Sequence, residues 1–157
     1  MRTVWLLGIA SLILFIGLAV YLMPLQPNIV VLQFAFNAES FQAVLVAWQP
    51  EGVTLFRSHL PVDTLFLACY GLFGYLYGMR STAFRGYAAG VNLACSLLLP
   101  IAACADAVEN GLHWIFTGGA GEAWMWLVPL AATCSSIKFL AIALFFALVW
   151  RAHHKSR

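Results

Sequence analysis

Four polar side chains that could carry chemistry stand together in the stretch ADAVENGLH, residues 105–113. They are Asp106, Glu109, Asn110 and His113, and their i, i+3, i+4, i+7 spacing places them on one face of a helix. Carboxylates, an amide and an imidazole on one face could transfer protons, ligate a cation or bind the polar part of a ligand. Because the chain is 63% hydrophobic and only 9% charged, this stretch is the first candidate site.

Other polar residues interrupt apolar runs elsewhere in the chain. Tyr70 follows Asp63 by seven residues and shares its helical face, and Ser135 precedes Lys138 by three. Ionisable groups at bilayer depth cost about 2.5–3.5 kcal/mol each, so they are kept where they pair or function. We expect Lys138 to pair with Asp106. The predicted site comprises Asp63, Tyr70, Asp106, Glu109, Asn110, His113, Ser135 and Lys138.

The composition indicates that these residues lie in a membrane protein. The 157 residues suffice for one domain, and their mean hydropathy is +0.89. Soluble domains are about one quarter charged, whereas this chain has only eight Lys and Arg and six Asp and Glu. Such a surface requires the lipid bilayer as its partner. No basic stripe suggests nucleic acid, which we exclude as a partner.

Four apolar segments are long enough to cross a bilayer, which takes roughly 20 helical residues. The first segment begins with a basic residue, as a secretory signal does, but its apolar run exceeds the roughly 7–15 residues of a signal core. We therefore interpret it as a span. The fold class predicted is an all-α integral membrane protein, a four-transmembrane-helix bundle forming one membrane domain over 1–157. Its spans are expected at about 4–23, 61–79, 87–116 and 124–150.

The basic residues predict the orientation of these spans. Six of them fall on one side of a four-span chain, Arg57 falls alone on the other side, and Lys138 lies within a span. The side rich in Lys and Arg is the cytoplasmic one. We expect an integral protein of the bacterial inner membrane with both termini in the cytoplasm. The six residues are Arg2, Arg80, Arg85, Arg151, Lys155 and Arg157.

The long connection between the first two spans lies outside in this topology. Within residues 28–48, Gln33, Asn37 and Ser40 recur at helical spacing. This spacing favours an extracytoplasmic interfacial helix that lies on or dips into the outer leaflet. An extended stretch over 29–36 is the alternative, because β-branched and aromatic residues dominate there. The sequence QPEG at 49–52 is typical of a turn.

The spacing of the candidate ligands argues against a metal or a cofactor. Glu109 and His113 form Glu-x-x-x-His, whereas the di-iron helix motif is Glu-x-x-His and occurs twice. We expect His113 to be the only histidine near a span, and its position at the outer end does not suit a central haem. We predict no metal and no cofactor.

Several functions fit this pattern. The favoured hypothesis is that the outer-half polar residues bind, or act on, a hydrophobic or lipid-like molecule. The residues could instead form an ion-pair network that fixes helix register, or Glu109 and His113 could emerge into outside water. The pattern is also consistent with an accessory or structural subunit of a larger membrane complex, a homo-oligomer, or a small ion- or proton-coupled transporter. No nucleophile or metal motif supports a reaction class, so the sequence leaves enzymatic activity open.

Overall fold

The computed structural model describes residues 1–81, 87 and 89–155, except the side chain of Lys155. Within that part of the chain the secondary structure is helical, without strands. Among the basic residues that predict the orientation, Arg85, Arg157 and the side chain of Lys155 lie outside the described residues. The helices are α1 (Arg2–Tyr21), α2 (Ile29–Gln33), α3 (Ala38–Arg80), α4 (Ala89–Phe116), a 3₁₀ helix (Gly121–Leu127) and α5 (Val128–Lys155).

Four helical segments are long and apolar enough to cross a membrane, as the sequence predicts. They are Arg2–Tyr21, Ala38–Arg80, Ala89–Phe116 and Gly121–His154. The second departs most from the prediction, because its helix does not begin at Pro61 but continues through it. A proline in a helix removes one backbone donor, and here that loss does not end the helix. Because several residues between Pro50 and Pro61 are polar, the hydropathy of the sequence does not indicate that the helix extends through them.

The segment 28–48 is not the single helix that the sequence predicts. Asn28 caps the five-residue α2, and the extended alternative is wrong because residues 29–33 are helical. A break follows, after which Asn37 caps α3 by accepting a 2.8 Å hydrogen bond from the Ser40 N–H. Asparagine is a preferred N-cap residue because its side chain satisfies a backbone donor at the start of a helix. Asn37 therefore begins a new helix where the periodicity suggested one continuous helix.

Helix α3 reverses its direction at Gln49, which has φ 56° and ψ 174°. The rings of Phe41 and Phe56 lie 5.6 and 5.7 Å from the ring of His113. A straight helix would separate residues 41 and 56 by about 22 Å, so both could not contact one histidine. Pro50 favours an extended ψ at the residue before it. The predicted turn at 49–52 is thus a sharp bend between a short arm of α3 (residues 38–48) and a long arm (residues 50–80).

The long arm of α3 packs closely against α4 through a glycine face. Gly71, Gly74 and Gly78 are buried there. A Cβ added at Gly71 would lie 3.0 Å from the Cβ of Ala103, and one added at Gly74 would overlap the Leu99 side chain. Small residues let two helix backbones approach closely, which drives helix association where the hydrophobic effect is weak. This contact fixes the register of α3 on α4.

Two apolar clusters occupy the interior, and buried polar residues lie between them. The upper cluster surrounds Phe41, Phe56 and Phe116, near the C-terminal end of α4. The lower cluster surrounds Leu99 and Phe145. We call the polar residues between them the polar layer, which comprises His59, Asp63, Tyr70, Asp106, Glu109, Asn110, His113, Ser135 and Lys138.

Candidate binding site in the polar layer

Lys138 is the central cation of the polar layer. Its Nζ donates to Oδ1 of Asp106 at 2.9 Å and to Oε2 of Glu109 at 2.7 Å, and all three residues are buried. The predicted pair between Lys138 and Asp106 is therefore present. Glu109 is a second counter-ion of Lys138. Its helical spacing predicts a position on the face of Asp106 but did not predict this pair. Buried charges of this kind are retained only when they are paired and hydrogen-bonded.

Tyr70 extends this hydrogen-bonded group towards α3. Its hydroxyl donates to Oδ2 of Asp106 at 3.2 Å, so both oxygens of Asp106 are occupied. Asp63 lies on the same face of α3 but bonds elsewhere, because it accepts a 2.5 Å hydrogen bond from Nδ2 of Asn110. Asp63 and Asn110 are only half-buried. The structure thus divides the predicted residues into a buried ionic group and a half-buried pair beside it.

The pair of Asp63 and Asn110 can be tested by exchanging its two side chains. We expect Asn110→Asp to destabilise the protein by about 2 kcal/mol, because a charge-assisted hydrogen bond is replaced by two carboxylates in contact. The variant combining Asp63→Asn with Asn110→Asp should recover most of the lost stability, since the bond re-forms in reverse. Thermal unfolding of the full chain in mild detergent measures both. A double variant no more stable than Asn110→Asp would contradict the assigned pairing.

Glu109 has one oxygen that the network does not use. The residue is 0% exposed, and its Oε1 has no hydrogen-bond partner. Nδ1 of His113 lies 3.9 Å from this oxygen, beyond hydrogen-bond distance. Ser135 lies beside Glu109 and interacts with its carboxylate, although its hydroxyl donates a hydrogen bond to the carbonyl of Ala131 at 3.2 Å. The alternative in which Glu109 and His113 emerge into water is wrong, because His113 is also only 2% exposed.

His59 is a member of the polar layer that sequence reasoning missed. It is buried, and its Nδ1 contacts the carbonyl of Phe56. The expectation that His113 is the only histidine near a span is therefore wrong. The error follows from starting the second span at Pro61, which excludes His59 from the helix. When the helix is taken to begin before Pro61, His59, Asp63 and Tyr70 lie on one face at spacings of four and seven residues. This polar stripe is the sequence signal that could have identified His59.

Two phenylalanine rings cover the polar layer on the side of the upper cluster. Phe41 comes from the short arm of α3 and Phe56 from the long arm, and both are 1% exposed. Each ring packs against the imidazole of His113. Phe56 also contacts His59, at 4.9 Å between ring centroids. The bend at Gln49 is what brings the two arms together over the histidines.

A groove of about 570 Å³ lies beyond these rings, between the two arms of α3 and the end of α4. Leu45 is four residues after Phe41, Val53 is three before Phe56, and Thr117 is four after His113. Each of these three lining residues therefore lies about one helical turn from the ring of Phe41, Phe56 or His113. The residues that line it include Leu45, Val46, Val53, Thr54, Arg57 and Thr117.

Arg57 lies at the edge of this groove and holds the end of α4. Its Nη1 donates to the carbonyl of Trp114 and to Oγ1 of Thr117, both at 2.8 Å. Its guanidinium also lies 4.1 Å from the centre of the Trp114 ring. A cation at a helix C-terminus satisfies free carbonyls and complements the helix dipole. Arg57 thus connects the long arm of α3 to α4 above the polar layer.

The geometry of the polar layer suits binding better than nucleophilic catalysis. Within the polar layer, the Ser135 hydroxyl donates to a backbone carbonyl and the His59 imidazole contacts another, so these two do not form a hydroxyl–imidazole pair. Among the described residues, no group of three His, Cys, Asp or Glu side chains is arranged to hold a metal ion. What the layer offers is a buried carboxylate oxygen beside an imidazole. Comparison with protein-family models, curated proteins and solved structures finds no match in any of the three.

Proposed function

We propose that this chain is an integral protein of a bacterial inner membrane, with its helices arranged as a four-helix bundle and both termini in the cytoplasm. The support is the distribution of the basic residues. In a four-span chain six of them fall on one side of the membrane and Arg57 alone falls on the other, and the side rich in Lys and Arg is the cytoplasmic one. In this orientation the C-terminal end of α4, the upper cluster and the groove face outward. The polar layer then lies in the outer half of the membrane.

The segment 28–48 enters the outer leaflet in this arrangement. Phe34 stacks on Phe139 of α5 at 5.5 Å, and Phe139 adjoins Lys138. Phe139 lies about 16 Å along α5 from its first residue, so the turn between α2 and α3 sits well below the groove. At the opposite end, the Trp48 indole donates to the carbonyl of Pro27 at 2.6 Å. The predicted interfacial helix is accordingly better described as a short re-entrant segment beside α5.

The function that the geometry supports best is binding of a hydrophobic or lipid-like molecule at the polar layer. The observation that carries this proposal is the free oxygen of Glu109, which is fully buried yet has no hydrogen bond. A buried acceptor left without a partner costs about 1–3 kcal/mol. A network that served only to fix helix register would be more stable if this oxygen were also paired. The groove, which is lined by both apolar and polar residues, lies about one helical turn beyond Phe41 and Phe56, the two rings that pack against His113.

Native mass spectrometry of the full chain, released from mild detergent, tests this function. We expect one non-covalently retained molecule per chain, lost in Glu109→Gln. That variant keeps Asp106 as the counter-ion of Lys138, so the fold should survive. Thr54→Trp should also lose the molecule, because it fills the groove without touching the polar layer.

Glu51→Gln is the matched control for Glu109→Gln, because it makes the same exchange at an exposed residue of α3 outside the polar layer, and it should retain the molecule. If no molecule is retained by the unmodified chain, the proposed function is wrong. Equal retention in Glu109→Gln, Thr54→Trp and the control would overturn it as well. In that case the polar layer would be a structural network alone.

A further inference from the structure

Carboxyl groups outnumber ammonium groups in the polar layer. Among the described residues, three carboxyl groups lie there, from Asp63, Asp106 and Glu109, and Lys138 supplies the one ammonium. Lys138 bonds to only two of the carboxyl groups. Asp63 is half-buried and bonded to Asn110, so the buried acceptor without a partner is Oε1 of Glu109, which favours a further cation and disfavours an anionic ligand.

The position for that cation is defined by Glu109 and His113. Oε1 of Glu109 has no hydrogen bond, and Nδ1 of His113 lies 3.9 Å away. A single nitrogen placed about 2.9 Å from each would be within hydrogen-bond distance of both. An ammonium has three donors, so it could bond to the carboxylate and to a neutral imidazole at once. A hydroxyl could bond to both atoms only if Nδ1 of His113 carries the imidazole proton, and it would bring no positive charge to the carboxylate.

Aromatic rings lie beside this position, which is buried. Phe41 and Phe56 both pack against the His113 ring, at 5.6 and 5.7 Å. Aromatic faces attract cations through their quadrupole, and desolvated sites strengthen that attraction. Beyond the rings, the groove walls formed by Leu45, Val46 and Val53 are apolar. A molecule with a cationic end and a hydrocarbon tail matches both regions.

We propose that the molecule bound at the polar layer is a lipophilic primary amine whose ammonium lies between Glu109 and His113. This inference rests on the proposed function and adds the chemical class of its ligand. The ammonium donates to Oε1 of Glu109 and to Nδ1 of His113, and the rings of Phe41 and Phe56 cover it. The hydrocarbon tail extends through the upper cluster towards the groove.

Titration of the full chain with dodecylamine, dodecanol and dodecanoate in one non-ionic detergent tests the proposal. The three probes share a tail and differ only in the charge and hydrogen bonding of the head group. We expect dodecylamine to bind at least about tenfold more tightly than dodecanol, because its hydrogen bonds are charge-assisted. Dodecanoate should bind most weakly. Glu109→Gln should abolish the preference for the amine, and Glu51→Gln should keep it.

The results distinguish this inference from the function on which it rests. Equal affinity for dodecylamine and dodecanol in the unmodified chain would overturn the amine assignment, whatever the behaviour of the variants. If that equality accompanied a retained molecule sensitive to Thr54→Trp, the binding function would stand and only the ligand class would fall. A preference for the amine that persists in Glu109→Gln would also overturn the inference. Absence of both a retained molecule and binding of any probe would overturn both.

Discussion

Replacement of Lys138 by methionine should strongly destabilise the protein. Methionine fills a similar volume, but it leaves Asp106 and Glu109 buried without the ammonium that bonds to both. Removing one partner of a buried ion pair costs about 3–5 kcal/mol, a large part of a typical stability of about 5–15 kcal/mol. Fluorescence-detected size exclusion and thermal unfolding in mild detergent would show the loss as aggregation and a lower unfolding temperature.

A triple variant separates charge imbalance from loss of packing. Lys138→Met combined with Asp106→Asn and Glu109→Gln removes all three charges together. Because the triple variant leaves no uncompensated buried charge, it should recover part of the lost stability. Arg151→Met is the control for removing a cation, because Arg151 is exposed on the same helix. Full stability in Lys138→Met would contradict the role of this ion-pair group.

Gly74→Leu is the second substitution for which we expect a large effect. Any Cβ at Gly74 overlaps Leu99, and a leucine side chain there would force α3 away from α4. Overpacking a filled core costs about 1–3 kcal/mol and sometimes more, and this site lies in the contact that sets helix register. We expect a loss of about 3 kcal/mol or more, measured as a lower unfolding temperature and a smaller monodisperse fraction.

Gly17→Leu provides the matched control. Gly17 lies inside α1 with no atom within 4 Å of an added Cβ, so leucine there should be tolerated or should stabilise the helix. Leu99→Gly in the Gly74→Leu chain exchanges the two side chains across the contact and should restore part of the loss. If Gly74→Leu and Gly17→Leu were equally stable, the close approach of α3 and α4 would not matter for stability.

The sequence predicted the features that depend on local spacing. The stripe of Asp106, Glu109, Asn110 and His113 follows from helical periodicity alone, and the ion pair of Lys138 with Asp106 follows from the direction of adjacent spans. The four apolar helices follow from composition and length. These predictions succeeded because each rests on a single helix, or on two helices joined by a short connection.

The features that the sequence did not predict depend on tertiary contacts. The second span was expected to begin at about residue 61, but the helix already includes Arg57, which bonds to the end of α4, and His59, which is buried against Phe56. The reversal at Gln49 was expected only as a turn. Its consequence, the placement of Phe41 over His113, depends on residues far apart in the chain. The packing of Gly74 on Leu99 likewise required knowledge of which faces meet.

The ion pairs of Lys138 with Asp106 and Glu109 affect how the chain is inserted into the membrane. The ribosome makes α4, with Asp106 and Glu109, before it makes α5, which carries Lys138. Until α5 arrives, each acid would cost about 2.5–3.5 kcal/mol at the centre of the hydrocarbon. Without α5, helix α4 would therefore move unfavourably from the translocon into the lipid. The two helices are best inserted as one hairpin, whose charges are already neutralised when it meets lipid.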